Sequence, residues 1–307
     1  MYYWHFSKPI WLKKGVNMEF GISAFMSDVG MQPFELASKA EALGFESFFV
    51  SEHTHIPLST NFPIADEVPK IYKSMYDPFV AMAAAASATT KIRVGNAICI
   101  LPQHDVFNCA KSIATIDHIS GGRVTFGIGA GWNEPEMENH GVAFKDRFAV
   151  TKESLEAIKL LWTQDVAEYH GKHINFDPCW TWPKPSQAPY PELLLAGAGP
   201  SILKRTARLA DGWMPVFAME WHESLAGKQS PLDNLAQDRQ TLRELDEQLG
   251  KTKTSISAMG LPAVAKRIDY LMEHDVERMI LSVPNDSREM ADEYLNQYAS
   301  VISEYLP

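Results

Sequence analysis

The chain is poor in cysteine, in positive charge and in long apolar runs, and each shortage narrows what it can be. Its three cysteines, Cys99, Cys109 and Cys179, are odd in number and show no CxxC spacing, which points away from a disulfide framework and a zinc site and toward a reducing compartment, the cytoplasm. Lysine and arginine total 28 against 38 acidic residues, a formal net charge of -10, so an electropositive nucleic-acid surface is not expected and small molecules are the expected partners. No apolar run approaches the roughly 18 residues needed to span a bilayer, and no membrane partner is expected. Residues 1–17, MYYWHFSKPIWLKKGVN, lack the continuous apolar stretch and small-residue cleavage site of a signal peptide. They read as an extension, of a composition compatible with disorder, ahead of one domain spanning 18–307. HExxH, GxSxG and GxxxxGK[ST] are all missing, and the histidines show no ligand-cluster spacing. A catalytic metal, a serine nucleophile elbow and a triphosphate-binding loop therefore have no support.

What is present is alternation. With 307 residues, of which 46% are hydrophobic, the chain can bury a large core, and about 250 residues is usual for one α/β barrel. Strand-like runs occur at 19–25, 47–51, 92–98 and 123–129, and again at 192–197, 211–216, near Ser255 and at 278–283. Between the first two, PFELASKAEALG places Phe34, Ala37, Ala40 and Leu43 at helical spacing and stops at Gly44. Eight such units predict a (β/α)8 TIM barrel with its active site at the carboxyl ends of the strands, with an open doubly wound sheet as the alternative. Two long stretches, 54–76 and 166–190, interrupt the alternation and read as insertions near the mouth. Residues 226–250 are polar and read as an exposed loop and helix.

Three places carry candidate chemistry. Glu52 and His53 follow the second strand directly, where a histidine can exchange a proton with a substrate; a solvated loop is an equal reading on position alone. GIGAGWNEPE brings Gly127, Gly129 and Gly131 to alternate positions after the fourth strand, for ligand approach or simply for a tight exit from a buried strand. LLLAGAGPSILKRTARLADGW presents a strand, a glycine-rich turn and a helix beginning near Pro200, with Ser201 as its cap and Lys204, Arg205 and Arg208 following. Free N–H groups at such a helix start suit a phosphate.

Taken in order, VSEHTHIP, IRVGNAICILPQHD, AKSIATIDHISGGRVTFGIGAGWNEPEMENHGV and PELLLAGAGPSILKRTARLADGWMP resemble the luciferase-like flavin and deazaflavin oxidoreductases, nearest to the branch dependent on coenzyme F420. The resemblance implies a barrel with insertions at its mouth, a homodimer, a separate flavin or F420 reductase as partner, and a tricyclic cofactor: F420, or FMN as the alternative. It implies that Glu52 and His53 face the cofactor ring as catalytic residues and that Ala97 and Ile98 form a non-proline cis bulge behind it. Gly129, Gly131 and Trp132 would line the cofactor, and Gly197, Ala198, Gly199, Pro200 and Ser201 would bind its phosphate. One departure matters. Sugar-phosphate dehydrogenases of this superfamily carry a catalytic glutamate where this chain has Trp132, and Glu134 does not match that position. Three functions stand open at this point: F420-dependent hydride transfer with an unidentified organic molecule, FMNH2-dependent oxygenation, and flavin binding without catalysis.

Overall fold

In a computed structural model that describes residues 18–63, 65–217 and 234–306, the chain forms a closed parallel barrel. The elements of its first half are β1 (Glu19–Ala24), α1 (Pro33–Ala42), β2 (Ser47–Val50), α2 (Pro78–Ala88), β3 (Arg93–Asn96), β4 (Cys99–Ile100), α3 (Val106–Ser120), β5 (Val124–Gly129), α4 (Glu134–Asn139) and α5 (Arg147–Thr163). The hairpin β6 (Val166–His170) and β7 (Asn175–Trp180) follows. Then come β8 (Glu192–Ala196), α6 (Pro200–Leu209), β9 (Gly212–Met214), α7 (Leu235–Leu249), β10 (Ser255–Leu261), α8 (Ala265–Glu273), β11 (Arg278–Ser282) and α9 (Arg288–Ile302). The sheet runs β3-β2-β1-β11-β10-β9-β8-β5-β4, and an additional β3–β5 pairing closes it. Of the expected strand at 92–98 only β3 is regular strand; a cis peptide between Ala97 and Ile98 interrupts it, and the second piece, β4, begins at Cys99, past the expected end. The bulge implied by the resemblance is therefore present.

Local chemistry accounts for the helix boundaries. Asp77 and Asp105 cap α2 and α3 by accepting from the N–H groups of Val80 and Asn108, at 2.9 Å each. α1 ends as its sequence pattern requires, with Gly44 at φ +88°. The apolar run at 81–88 is one globular helix burying Ala81, Met82, Ala85 and Ala86, and no helix among the described residues is long and apolar enough to cross a membrane. Insertion 166–190 contains the antiparallel β6–β7 hairpin. The helical half of the polar segment 226–250 is α7, while 226–233 and the proposed extension 1–17 lie outside the described residues.

Strand alternation divides the core in two. Phe20, Ile22, Phe48, Val50, Phe126 and Leu193 belong to the large cluster between sheet and helices, while Phe49, Leu194, Met214 and Ile280 fill the barrel's interior. Below that interior plug, at the amino ends of the strands, lies buried Arg278. Its guanidinium reaches Glu46 at 3.0 and 3.1 Å, Glu19 at 3.1 Å, Glu192 at 3.3 Å and Ser257 at 3.0 Å. Burial would raise the Glu46 carboxyl, but the Arg278 charge and hydrogen bonds hold it below its ordinary 4.5; Glu19 is pushed the other way by burial and by Glu46. This end of a barrel serves stability rather than chemistry.

Arg278→Leu should lower unfolding free energy by about 3–5 kcal/mol in urea titrations at neutral pH, because several carboxylates would lose their counter-charge. Glu46 is depressed in the fold, so its stabilisation is present above about pH 4.5 and is lost as pH falls through its lower folded value. The gap between parent and variant should therefore narrow in acid, and a constant gap from pH 7 to pH 3 would refute the assignment.

Candidate active site at the barrel mouth

The alternation of β2 continues past its end and separates two residues that are adjacent in sequence. Ser51 donates its hydroxyl to the Ala97 carbonyl at 2.9 Å. Glu52 turns to the helix side, and His53 turns to the mouth. Both Glu52 oxygens are used there: one accepts the Ile100 N–H at 2.5 Å, the other meets His104 Nε2 at 2.6 Å. Burial disfavours a charged His104, but the hydrogen bond and charge of Glu52 outweigh it and push the imidazole up to about 9. The result is a buried ion pair that clamps the backbone just after the cis bond. Glu52 consequently acts on the bulge, not on a ligand in the mouth. Cys99 joins this pair to make the one group of potential metal ligands among the described residues, all within 4.8 Å of one another. Both carboxylate oxygens are already engaged and burial holds the thiol well above its usual range, so the cluster is complete as an ion pair beside a protonated thiol.

His53, 7% exposed, is held on both ring nitrogens. Trp132 Nε1 lies 3.2 Å from its Nε2, and Glu136 Oε2 lies 2.6 Å from its Nδ1. An indole N–H can only donate, so Nε2 is the acceptor and the proton resides on Nδ1, donated to Glu136. Glu136, fully buried, also accepts from the Thr54 N–H at 3.0 Å, from the Thr54 hydroxyl at 3.4 Å and from the Asn133 amide at 3.3 Å. Burial pushes its carboxyl up, yet the hydrogen bond and charge of His53 and the donors around it hold it below the ordinary value. A further ring of donors stands behind: Asn139 Nδ2 at 2.9 Å from His55 Nε2, His55 Nδ1 at 2.9 Å and His140 Nε2 at 2.8 Å from the Thr54 hydroxyl. His55 thereby supports Thr54 rather than facing a ligand.

Glu136 was not among the residues singled out in the sequence. The signal for it is its place as the third residue of α4, where a short helix turns it back beneath His53, while the neighbouring Glu134 is exposed. The alternate glycines have a different role from ligand approach. A Cβ on Gly127 would stand 2.0 Å from the Asn96 carbonyl oxygen, one on Gly129 would stand 2.2 Å from Ile98 Cδ1, and one on Gly131 would stand 2.8 Å from Ile100 Cγ2. The space these glycines leave is filled by the bulge itself, and Ala97 and Ile98 with Ala196 cap the interior plug as a floor of small and apolar groups.

At the glycine-rich turn the cap is Gly199, at φ +86°, with Pro200 and Ser201 as the first two helical residues. Ser201 is thus not the cap: only glycine accepts this backbone without strain, and no side chain bonds the first N–H groups of α6. Trp213 pins the turn by donating to the Gly197 carbonyl at 2.9 Å, and a Cβ at Gly199 would meet no atom within 4 Å. Arg205 lies 4.4 Å from the Phe148 ring centroid and Arg147 also lies 4.4 Å from it, so the ring gathers two guanidinium groups beside the turn. Ala130, Ala196, Ile202 and Arg205 line the hollow there, while Lys204 and Arg208 are exposed. The space beside Gly199 and the cations near it would suit an anionic group.

A sequence profile described as luciferase-like monooxygenase matches residues 31–301. A protein of Mycobacterium tuberculosis without assigned function is 42% identical over 202 residues, 64% of this chain and 72% of its own. The FMNH2-dependent dimethylsulfone monooxygenase of Pseudomonas putida is 32% identical over 131 residues, 42% of this chain and 36% of that one. The F420-dependent glucose-6-phosphate dehydrogenase of Amycolatopsis mediterranei is 29% identical over 187 residues, 59% of this chain and 51% of that one. Among solved structures, a monooxygenase of Streptomyces bottropensis shares the fold with a TM-score of 0.76 at 20% identity, covering 94% of this chain and 99% of that one.

Glu136→Gln should turn the network around. The Thr54 donors would hold the amide oxygen, the amide N–H2 would face His53, and the ring would have to carry its proton on Nε2 and release Trp132; the Trp132 indole N–H resonance should shift accordingly, and an unmoved resonance would refute the wiring. The His104–Glu52 pair has a raised imidazole, so its contribution is complete below about 6.5 and is lost as pH rises through about 9. Thermal unfolding should therefore show stability falling between about pH 6.5 and pH 9, a fall that His104→Gln abolishes.

Proposed function

The chain belongs to the luciferase-like monooxygenase family, and from that premise we propose that it is an oxidoreductase that binds coenzyme F420 and exchanges hydride with a small organic substrate. The observation that carries this reading is the single orientation of His53, whose Nε2 lone pair stands at the mouth while Nδ1–H is committed to ionised Glu136. A deazaflavin, when bound, accepts or donates the hydride. Everything else is assigned to the chain. His53 takes the proton from a substrate hydroxyl at Nε2, or returns it, and Glu136 stabilises the imidazolium that results. Glu52 and His104 hold the Ala97–Ile98 floor, and the turn from Gly197 to Ser201 receives the phosphate.

F420 is preferred over FMN because of Arg147 and Arg205 beside that turn. FMN ends at its phosphate, whereas the deazaflavin continues into a carboxylate-bearing tail that two guanidinium groups suit. The Pseudomonas relative favours a second reading, oxygenation with reduced FMN, for which the same turn and floor would serve. Binding without catalysis is the weakest reading, since a merely passive pocket has no use for a histidine wired on both nitrogens.

Titration of intrinsic tryptophan fluorescence with oxidised F420 and with FMN tests the assignment. Arg205→Ala should weaken F420 about tenfold and FMN far less, and Gly199→Val should weaken both by at least about tenfold through the strain of a β-branched residue at positive φ. Binding of FMN alone would shift the assignment to oxygenation, and binding of neither would refute both cofactor readings.

A further inference from the structure

A cavity of about 490 Å³ lies between the start of α3, the loop from α4 to α5 and the turn of the β6–β7 hairpin. It shares no wall residue with the hollow beside the glycine-rich turn, and its volume is in the range of small-molecule sites. Its wall holds polar groups that the fold leaves without partners. Asp146 heads α5, yet its carboxylate caps no N–H group and, among the described residues, makes no ion pair. The His173 imidazole makes no hydrogen bond either, because Glu153 beside it accepts instead from the N–H groups of Lys172, His173 and Ile174, at 3.2, 2.6 and 3.0 Å. Gln103 Oε1 is buried with no partner. His104 and His140 are each bonded on Nε2 alone, to Glu52 and to Thr54. Val142, Val150 and Ile174 supply apolar surface between these groups.

Charge decides what the wall can hold. His104 carries a proton, but Glu52 answers it at 2.6 Å, so the formal charge left is that of Asp105 and Asp146. Burial and the neighbouring His55 hold His140 below the ordinary imidazole value, and it adds no positive charge near neutral pH. An anion drawn to the start of α3 would meet Asp105, which already caps the Asn108 N–H at 2.9 Å, and one drawn to the start of α5 would meet Asp146. A neutral polyol would cover Asp146 without compensating its charge. An ammonium group balances the carboxylates and donates to Gln103 Oε1 and the free imidazole nitrogens, while an alkyl stem suits the valine and isoleucine surface.

We propose that this cavity binds an alkyl di- or polyamine, with Asp146 as its principal counter-charge. The site is distinct from the barrel mouth and does not depend on the hydride-transfer reading. Its wall nevertheless reaches the mouth at two points, through the bond of His104 to Glu52 and that of His140 to the Thr54 hydroxyl.

Calorimetric titration of the full chain with putrescine, spermidine, 1,4-butanediol and succinate, at physiological ionic strength and without cofactor, tests the site. At least one amine should bind saturably and about tenfold or more tightly than the diol or the diacid. Asp146→Asn should weaken the amine about tenfold or more. Asp66→Asn removes the same charge at an exposed position outside the cavity and should leave binding unchanged. Ala143→Trp, from an exposed position of the wall, should fill the cavity and abolish binding. The His140 and His173 ring resonances, assigned by their disappearance in His140→Gln and His173→Gln, should move with the same saturation curve. Equal losses in Asp146→Asn and Asp66→Asn would mean that the net charge of -10 merely attracts amines, and would overturn the site. Tighter binding of succinate or of the diol, or binding of neither amine, overturns it as well.

Discussion

The bond between His53 Nδ1 and Glu136 is the constraint on which the rest of the mouth depends. At 2.6 Å, in the buried interior, it joins a strand end to a helix 83 positions later and decides which imidazole nitrogen is free. Thr54, Asn133, His55, His140 and Asn139 all send donors toward the same carboxylate, directly or through the Thr54 hydroxyl. A carboxylate so surrounded stays ionised, and an ionised carboxylate keeps the proton of His53 on the inner nitrogen. The role of Trp132 as donor to the outer nitrogen follows from that orientation.

The fold supplies this geometry through strand parity. One residue of β2 faces the interior and the next faces the helices, so the adjacent Glu52 and His53 serve different layers. His53 meets the mouth; Glu52 reaches between sheet and helices to His104 and Ile100 and fixes the segment in which the cis bond lies. The buried pair pays for its desolvation with a short hydrogen bond and a backbone donor. Charge is distributed the same way on a larger scale. Arg278 and its carboxylates close the amino end of the barrel, and Arg147 and Arg205 mark the opposite end beside the glycine-rich turn.

Much of this was legible in the residues. Eight strand-like runs and the glycine stop at Gly44 specified the barrel, and the motifs carried the family and the bulge at Ala97–Ile98. What escaped was long-range or set by backbone sign. Glu136 sits in a six-residue helix whose period is too short to read, and its partner is remote in sequence. Ser201 reads as a cap because serine favours that position, but the backbone turns left-handed at Gly199 and the helix begins there. Gly127, Gly129 and Gly131 read equally as room for a ligand or as a tight exit from a strand, and the packing shows Asn96, Ile98 and Ile100 in contact with that space. The outward turn of Glu52 depends on where β2 ends, a boundary that sequence patterns locate only to within a few residues.

The most direct test of the account is the tautomer of His53 in the parent protein, read from the nitrogen-15 shifts of its ring at neutral pH. The account requires a protonated Nδ1 and a lone-pair Nε2 in the neutral ring, with an N–H proton displaced downfield by its short bond to Glu136. A neutral ring protonated on Nε2, or one that populates both tautomers, would contradict it and remove the basis for assigning His53 as the proton acceptor at the mouth.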